Sequence, residues 1–136
     1  LDLQEFILGN RKTAKADDEL VTGLLIPKPA ANAFGAFEKL GARKYLVISI
    51  VMTGVVAEWN EDQRIGKIRI AVGSCSEKSI RLEKLEKECE GKRMDQIRIR
   101  TEHLENLSPI DDIRAKADFR LDVVSELILR AVRQTS

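Results

Sequence analysis

The sequence contains few of the residues from which metal sites and nucleophilic sites are built. Among its 136 residues there are one histidine, His103, and two cysteines, Cys75 and Cys89. The cysteines are too far apart for a CxxC motif, and the histidine has no ligand-like spacing to them. This scarcity argues against a bound metal. We expect two free thiols in a reducing cytoplasm rather than a disulfide.

An excess of charge of either sign is also missing. Lys and Arg number 23 and Asp and Glu number 22, so the net charge is +1. Phosphate binding needs a concentrated basic face, and the near balance therefore argues against a nucleic-acid partner. With 43% hydrophobic and 33% charged residues, the chain has the composition of one globular domain with a modest core.

Long apolar runs are absent as well. The longest, residues 45–57, is too short to span a bilayer and is interrupted by Ser49, Thr53 and Gly54. We therefore expect no membrane span and, because no signal peptide is recognisable, a cytoplasmic location. The sequence starts at Leu1 in the middle of a motif, LDLQEFILGNRKT, so we expect further sequence upstream.

The first half of the chain carries strand patterns. Residues 19–26 are short, apolar and followed by Pro27, which predicts a strand, and residues 34–40 predict a second strand. Residues 45–59 fit a long buried strand or a buried helix, and their many Val and Ile residues favour the strand. Alternation over residues 65–72, after a polar turn, predicts its antiparallel partner in a hairpin.

The second half changes to helical spacing. Residues 80–89 place apolar side chains on one helix face, and Gly91 is a natural stop for that helix. Residues 94–107 make a second apolar stripe, although alternation at residues 97–100 weakens the helical interpretation.

A third helix is predicted after Pro109, with Asp111 or Asp112 as its cap and an apolar face over residues 119–131. Strands therefore come first and helices follow. This succession predicts an α+β fold: an antiparallel sheet of three to four strands, followed by three helices packed on one face.

Nucleophilic catalysis has one local candidate, Ser74, Cys75 and Ser76 after a predicted strand. An activated Ser or Cys needs an adjacent base, and we expect the only histidine, His103, to face solvent on a charged helix. We therefore interpret this segment as a turn of small residues and not as the site of a small hydrolase.

The charged residues near the last helix have structural interpretations. The pair Asp111 and Asp112 suits a helix N-terminus better than carboxylate catalysis. Four arginines are expected in surface or intersubunit ion pairs: Arg114, Arg120, Arg130 and Arg133.

A basic cluster, Arg11 and Lys12, lies in the sequence GNRKT at residues 9–13. It has the charge to meet an anion, but it lacks the second glycine and the preceding strand of a phosphate-binding loop. An anion site and an exposed basic loop are equally compatible with this pattern.

Four motifs, in order along the chain, resemble one known family. They are EFILGNRKTA at residues 5–14, FEKLGAR at 37–43, IRIAVGSCS at 68–76 and PIDDIR at 109–114. They resemble the end of the flavin-binding region and the C-terminal domain of the FAD-carrying subunit of molybdenum hydroxylases, the xanthine dehydrogenase and carbon monoxide dehydrogenase group.

The resemblance implies that residues 1–18 are the tail end of the FAD-binding region and residues 19–136 the C-terminal α+β domain. In that family FAD passes electrons from iron–sulfur clusters to NAD or another acceptor. The implied partners are a molybdopterin-binding large subunit and an iron–sulfur small subunit, with homodimer contacts as a further alternative.

The resemblance also implies two FAD-binding positions, Val21 (or Leu20 with a one-residue slip) and Lys39, and no catalytic residue. Arg43 and Lys44 match a basic pair near the flavin. The family's Gly-rich FAD-binding segments are absent from these residues, so we expect the isolated chain to bind FAD weakly or not at all. The rival interpretation is a non-catalytic α+β interaction module that docks partner subunits.

Overall fold

The computed structural model describes residues 1–45 and 47–136. Its strands come first in the chain and its longest helix comes last, so the predicted α+β class is confirmed. The elements are α1 (Leu3–Phe6), β1 (Ile7–Gly9), β2 (Lys12–Thr13), β3 (Ala33–Leu40), β4 (Val51–Trp59), β5 (Ile65–Gly73), β6 (Ile80–Arg81), α2 (Glu83–Cys89), a 3₁₀ turn (Met94–Gln96), α3 (Thr101–Leu104) and α4 (Ala117–Arg133).

The main sheet has four antiparallel strands in the order β3-β4-β5-β6. Its centre is the predicted hairpin of β4 and β5, in which Val55 pairs with Ile70. The polar turn between these strands closes through two bonds, from Asn60 N to the carbonyl of Arg64 at 2.9 Å and from Arg64 N to Asn60 Oδ1 at 2.7 Å. The hairpin prediction is thus confirmed.

The strand predicted over residues 19–26 is wrong. Residues 19–30 have no helix or strand, and Leu25 is 97% exposed. Apolar composition favours a strand only where a neighbouring strand and a packed face are available. Here β3 remains an edge strand, and the fourth strand is the short β6 at the opposite edge.

The strand interpretation of residues 45–59 is confirmed for Val51–Trp59. Residues 47–50 precede the strand as a loop, and Leu46 lies outside the described residues. The loop joins the sheet at Ile50, whose N–H donates to the carbonyl of Leu40 at 2.8 Å.

The helix predicted over residues 80–89 is shorter than expected, because Ile80–Arg81 pairs with β5 and α2 begins only at Glu83. Gly91 adopts a φ of 76°, the left-handed conformation that lets the chain turn away after a helix. The single helix predicted over residues 94–107 is wrong: this stretch contains a 3₁₀ turn, an extended segment and the short α3.

The last helix, α4, begins at Ala117 and not directly after Asp111 or Asp112. Both aspartates still accept hydrogen bonds from the backbone that leads into α4. Asp111 Oδ1 accepts from Ala117 N at 2.6 Å, and Asp112 Oδ1 accepts from Arg114 N at 2.8 Å. Acidic oxygens thus satisfy N–H groups at the helix start and just before it.

The core lies between one face of the sheet and the helices. α4 packs on β4 and β3, while α2 packs on β5. The inward side chains of the hairpin alternate with exposed or half-buried ones, as a one-sided sheet requires. Fully buried members from both layers include Val51, Val55, Ile70, Val72, Leu85, Val124 and Ile128.

The opposite face of the sheet, called here the outer face, carries exposed or small side chains. Pairing places Phe37, Gly54 and Ala71 in one row across it, and Lys39 and Met52 in the next. No helix in the described part of the chain is both long enough and apolar enough to cross a membrane.

Candidate functional site

Lys39 lies near the end of the edge strand β3, and its side chain is exposed on the outer face. Its ammonium donates to the carbonyl of Val47 at 2.7 Å. One N–H of the ammonium therefore holds the loop before β4, and the ammonium donates no other bond to the described residues. The strand fixes the position of this cation, which a surface loop would not.

Val21 lies in the extended segment between β2 and β3 and is 51% exposed. Among the described residues, no hydrogen bond joins residues 20–29 to the rest of the chain. Leu20 is exposed as well, so the two alternatives for the apolar position stay equally open. The structure gives Lys39 a defined position on the sheet and leaves Val21 without one.

Phe37 is a feature of this surface that the sequence analysis missed. It precedes Lys39 by two residues in the same strand, so both side chains project from the outer face. The ring is 60% exposed, although a large aromatic side chain usually contributes to a core. Because Phe37 and Lys39 are two residues apart in a predicted strand, the sequence could have indicated that they share one face.

Small residues beside Phe37 leave a shallow trough across the outer face. The row next to the ring is Gly54 and then Ala71, whose short side chains leave the backbone accessible from this side. Arg81 follows on β6, and its guanidinium is hydrogen-bonded to Glu86, which raises the pKa of Arg81. The trough therefore has an aromatic rim at one end and a paired cation at the other.

The basic cluster of residues 9–13 forms the turn of the small hairpin β1–β2. Arg11 adopts a φ of 57°, and both Arg11 and Lys12 are exposed. Lys78 anchors the preceding segment by donating to the carbonyls of Gln4 at 2.6 Å and Ile7 at 2.8 Å. This exposure is compatible with both predictions, an anion site and an exposed basic loop.

Ser74, Cys75 and Ser76 form a turn after β5, as predicted. Ser74 adopts a φ of 65°, and Cys75 is fully buried. Burial raises the pKa of the Cys75 thiol, which disfavours the reactive thiolate. Both ring nitrogens of His103 are engaged elsewhere, so the histidine does not activate this turn.

The prediction that His103 faces solvent is wrong, because the residue is only 5% exposed. Its Nδ1 accepts from Arg100 N at 3.0 Å, so the proton of the neutral ring lies on Nε2 and points to Glu88 Oε2, also at 3.0 Å. The short helix α3 turns the ring inward, which a continuous surface helix would not have done.

Glu88 is the centre of an ion-pair cluster. Lys92 pairs with it at 2.7 Å, and Arg100 and His103 also bond to it. These partners, Lys92 foremost, lower the pKa of Glu88 to about 2. Glu88, Glu102 and His103 have ligand atoms close enough to share a metal ion, but the carboxylates already face Lys92 and Arg100. The arrangement is that of an ion-pair cluster.

The expectation that Arg120 lies on the surface is also wrong, since it is 3% exposed. Its guanidinium donates to the carbonyls of Ile50 at 2.5 Å and Ser74 at 3.0 Å, and to Asp112 Oδ1 at 2.8 Å. The bond from the Arg114 backbone is the main cause of the depressed pKa of Asp112. Arg120 thus joins three loops at one end of the sheet.

Arg130 forms a surface ion pair with Glu126 at 2.8 Å, and Arg114 forms one with Asp112 at 2.7 Å, as expected.

Comparisons with known proteins agree on one family. The family of the CO dehydrogenase flavoprotein C-terminal domain matches residues 36–135, a range that includes Lys39 and leaves out Val21. The nicotine 6-hydroxylase medium subunit of Paenarthrobacter nicotinovorans is 29% identical over 136 residues, which cover 97% of this chain and 46% of that protein.

Solved structures share the fold. Carbon monoxide dehydrogenase from Hydrogenophaga pseudoflava superposes with a TM-score of 0.79 at 24% identity, and reconstituted CO dehydrogenase from Oligotropha carboxidovorans with 0.82 at 22%. Quinoline 2-oxidoreductase from Pseudomonas putida 86 gives 0.77 at 22%. Each match covers 96% of this chain and 46% of the other, so the chain spans about half the length of its relatives.

Proposed function

This chain belongs to the family of CO dehydrogenase flavoprotein C-terminal domains, and we propose that it is the C-terminal part of the FAD-carrying subunit of a molybdenum hydroxylase. The observation that carries the proposal is the family match over residues 36–135. It agrees with the fold that this chain has in common with the solved structures. The rival interpretation, a non-catalytic docking module, is not favoured by these relatives.

FAD is the proposed cofactor of the complete subunit. FAD, when bound, supplies the redox chemistry, by accepting electrons that arrive through iron–sulfur clusters and passing them to NAD or another acceptor. The Gly-rich segments that hold its phosphates are absent from these residues. This domain therefore contributes one wall of the site and not its main cradle.

The outer face around Lys39 is the surface that best fits a flavin. The ammonium of Lys39, held on β3, stabilises negative charge on the reduced flavin ring or on a phosphate of FAD. The exposed ring of Phe37 offers a flat apolar surface beside it, and Gly54 lets a planar group approach the sheet. Val21 belongs to the same proposal, as an apolar contact that the rest of the subunit brings into place.

The apolar side chains of residues 20–26 support the proposal that the rest of the subunit covers this part of the domain. Leu24, Leu25 and Ile26 are all exposed in this chain, and exposed apolar stretches of this kind mark surfaces that another part of a protein covers. We propose that residues 1–18 end the FAD-binding region and residues 19–136 form the C-terminal domain. The Lys78 anchor keeps residues 4–7 on this domain nonetheless.

The proposed partners are a molybdopterin-binding large subunit and an iron–sulfur small subunit in the cytoplasm. The names of the relatives support oxidoreductase chemistry in such a complex, since they are a hydroxylase subunit, CO dehydrogenases and an oxidoreductase. In this proposal the hydroxylated substrate is chosen in the molybdopterin-binding subunit and not in this chain.

Absorbance spectroscopy tests the proposal directly. We expect the purified complete subunit to show an oxidised-flavin spectrum, whereas the 136-residue chain alone shows none or takes up FAD weakly. A complete subunit that is colourless and fails to take up added FAD would refute the flavoprotein assignment.

A further inference from the structure

A groove of about 800 Å³ lies at the turn end of the β4–β5 hairpin, where α4 also ends. We call it the arginine groove. Its walls include three arginines from two segments, the stretch around the 3₁₀ turn and the end of α4, together with apolar side chains: Arg93, Arg98, Arg133, Trp59, Met94 and Leu129. β4 runs away from Lys39 toward this end, so the groove and the proposed flavin surface lie at opposite ends of the sheet.

Within the described residues, the three groove arginines lack the carboxylate partner that several other arginines have. Arg100, Arg114 and Arg130 are each paired with a carboxylate of this chain. In contrast, the guanidinium groups of Arg93 and Arg133 donate no hydrogen bond and form no ion pair within residues 1–45 and 47–136. Arg133 acts only at longer range, where it helps to lower the pKa of Glu126.

Arg98 is held in place by the chain itself. Its guanidinium donates to the carbonyls of Asp95 at 2.6 Å and Ile97 at 2.8 Å. Asp95 is the only acidic side chain among those lining the groove, and Ser136, the last residue of the 136-residue chain, adds its terminal carboxylate, so three guanidinium groups face two carboxylates. The groove therefore presents a net positive charge beside an apolar floor.

A surface of this chemistry fits a ligand with carboxylates next to apolar side chains. Guanidinium groups bind carboxylates through two parallel N–H donors, and arginines and tryptophans are enriched among the residues that dominate protein interfaces. Trp59 is half-buried, with its Nε1 donating to Thr135 Oγ1 at 3.3 Å, so the indole is fixed at the edge of the groove.

We propose that the arginine groove docks an acidic peptide segment of a partner protein. Carboxylates of the segment bind Arg93 and Arg133, and an apolar side chain between them packs beside Trp59. This interaction surface is separate from the flavin assignment and holds whether or not the chain borders FAD.

Trp59 makes the proposal measurable, because it is the single tryptophan of the chain. The probe is the synthetic peptide acetyl-Glu-Leu-Asp-Leu-Glu-amide, titrated into the 136-residue chain at low salt while tryptophan emission is followed. The matched control peptide replaces each acid by its amide. We expect a saturable change in emission with the acidic peptide, and its midpoint rises with added salt because screening weakens exposed charge pairs.

Variants identify the residues that bind. The double variant R93Q/R133Q is expected to weaken binding by roughly tenfold, since both exposed charge pairs with the peptide are lost. R130Q removes one charge from the helix that carries Arg133, outside the groove, and is expected to bind like the wild type. Both variants change exposed side chains, and equal melting temperatures show that folding is intact.

Four results would overturn the proposal, and the first three come from the peptide titrations. They are no saturable emission change with up to millimolar acidic peptide, equal binding of the amide control peptide, or unchanged binding by R93Q/R133Q. Inorganic phosphate alone is the last comparison. If it reproduces the emission change with the same midpoint as the peptide, the groove is a general anion site and the peptide assignment is wrong.

Discussion

Arg120 carries its charge inside the molecule and connects parts of the chain that are far apart in sequence. Its guanidinium binds the carbonyl that precedes β4, the carbonyl of the turn after β5, and Asp112 before α4. Its Nε is buried without a partner among the described residues. A buried cation held in this way satisfies backbone groups that would otherwise lose their hydrogen bonds.

Replacing Arg120 should therefore destabilise the fold strongly. We expect Arg120→Ala to lower the free energy of unfolding by about 3 kcal/mol, because the buried carbonyl of Ile50, the half-buried carbonyl of Ser74 and Asp112 lose their donor. Urea unfolding followed by circular dichroism measures the change. The control is Arg130→Ala, an exposed ion-paired arginine of the same helix, with an expected loss below about 1 kcal/mol. Equal losses for the two variants would contradict the structural role of Arg120.

Glu88 makes stability depend on pH in a defined window. Its pKa falls from the usual 4.5 to about 2 in the folded chain, mainly through Lys92 and also through Arg100 and His103. A carboxyl with a lowered folded pKa stabilises the fold above its unfolded pKa, and this contribution is lost as the pH falls toward the folded value. The stabilisation is therefore fully present above about 4.5 and disappears toward about 2.

The variant Glu88→Gln tests this dependence. We expect the difference in unfolding free energy between wild type and variant to be constant near neutral pH and to shrink as the pH falls from 4.5 toward 2. Urea titrations at a series of pH values measure it. Glu105→Gln is the control, since Glu105 is in an exposed pair with Lys84. A pH-independent difference for Glu88→Gln would contradict the assignment.

At the scale of elements, the helices owe their positions to the sheet they cover. α4 places Val124, Leu127, Ile128 and Ala131 along its buried side, in helical spacing. The hairpin offers alternating buried side chains to meet them. An isolated helix of this length is marginal in water, so the packing of its apolar face supplies most of its stability.

A substitution at Ile128 should show how much that packing contributes. Ile128 is fully buried, and we expect Ile128→Ala to lower the unfolding free energy by about 2–5 kcal/mol through lost burial and a cavity. Ile113 is 99% exposed, so Ile113→Ala makes the same chemical change with an expected effect within about 0.5 kcal/mol. Thermal or urea unfolding distinguishes them, and similar losses would mean that α4 does not pack as described.

Residues 94–107 show why one predicted helix became three short pieces. Ile97 is buried while Arg98 and Arg100 stay exposed, which matches the alternation noted in the sequence. An extended segment buries such residues on one side, whereas a helix would spread them around its axis. The two-residue alternation was visible in the sequence. Choosing between an extended segment and a helix, however, required knowledge of the surface on which the segment packs.

At the scale of the whole molecule, this chain is about half of the proteins it resembles. The surface proposed to face FAD, the outer face around Lys39, is therefore one that the remainder of the subunit completes. Lys39 and Phe37 lie on one sheet face, and the apolar residues 20–26 extend from the domain without a packing surface of their own.

In the complete subunit, Lys39→Ala should weaken FAD binding. We expect the dissociation constant to rise by about tenfold, because a charge-assisted contact contributes about 1.5–3 kcal/mol and the neighbouring contacts remain. Flavin release during dilution or dialysis, followed by absorbance, measures the affinity. Lys84→Ala is the matched control, since Lys84 lies on α2 and is paired with Glu105, away from the outer face. Equal affinity of wild type and Lys39→Ala would remove Lys39 from the site.

Part of the candidate site was predictable from single residues. Lys39 came from the resemblance of residues 37–43, and β3 then formed where the sequence predicted it. Phe37 was overlooked, although its spacing from Lys39 was available. Val21 was assigned to a strand that the chain does not form, because a strand needs a pairing edge that no local pattern reveals.

Sequence alone determined the β4–β5 hairpin, the last helix and the α+β class, because periods of two and of about 3.6 residues are local properties of the chain. Tertiary structure decided the burial of Arg120 and His103, the pairing of β6 instead of residues 19–26, and the meeting of Arg93 and Arg133 in one groove. Each of these depends on contacts between residues far apart in sequence. Their partners are therefore absent from any local pattern.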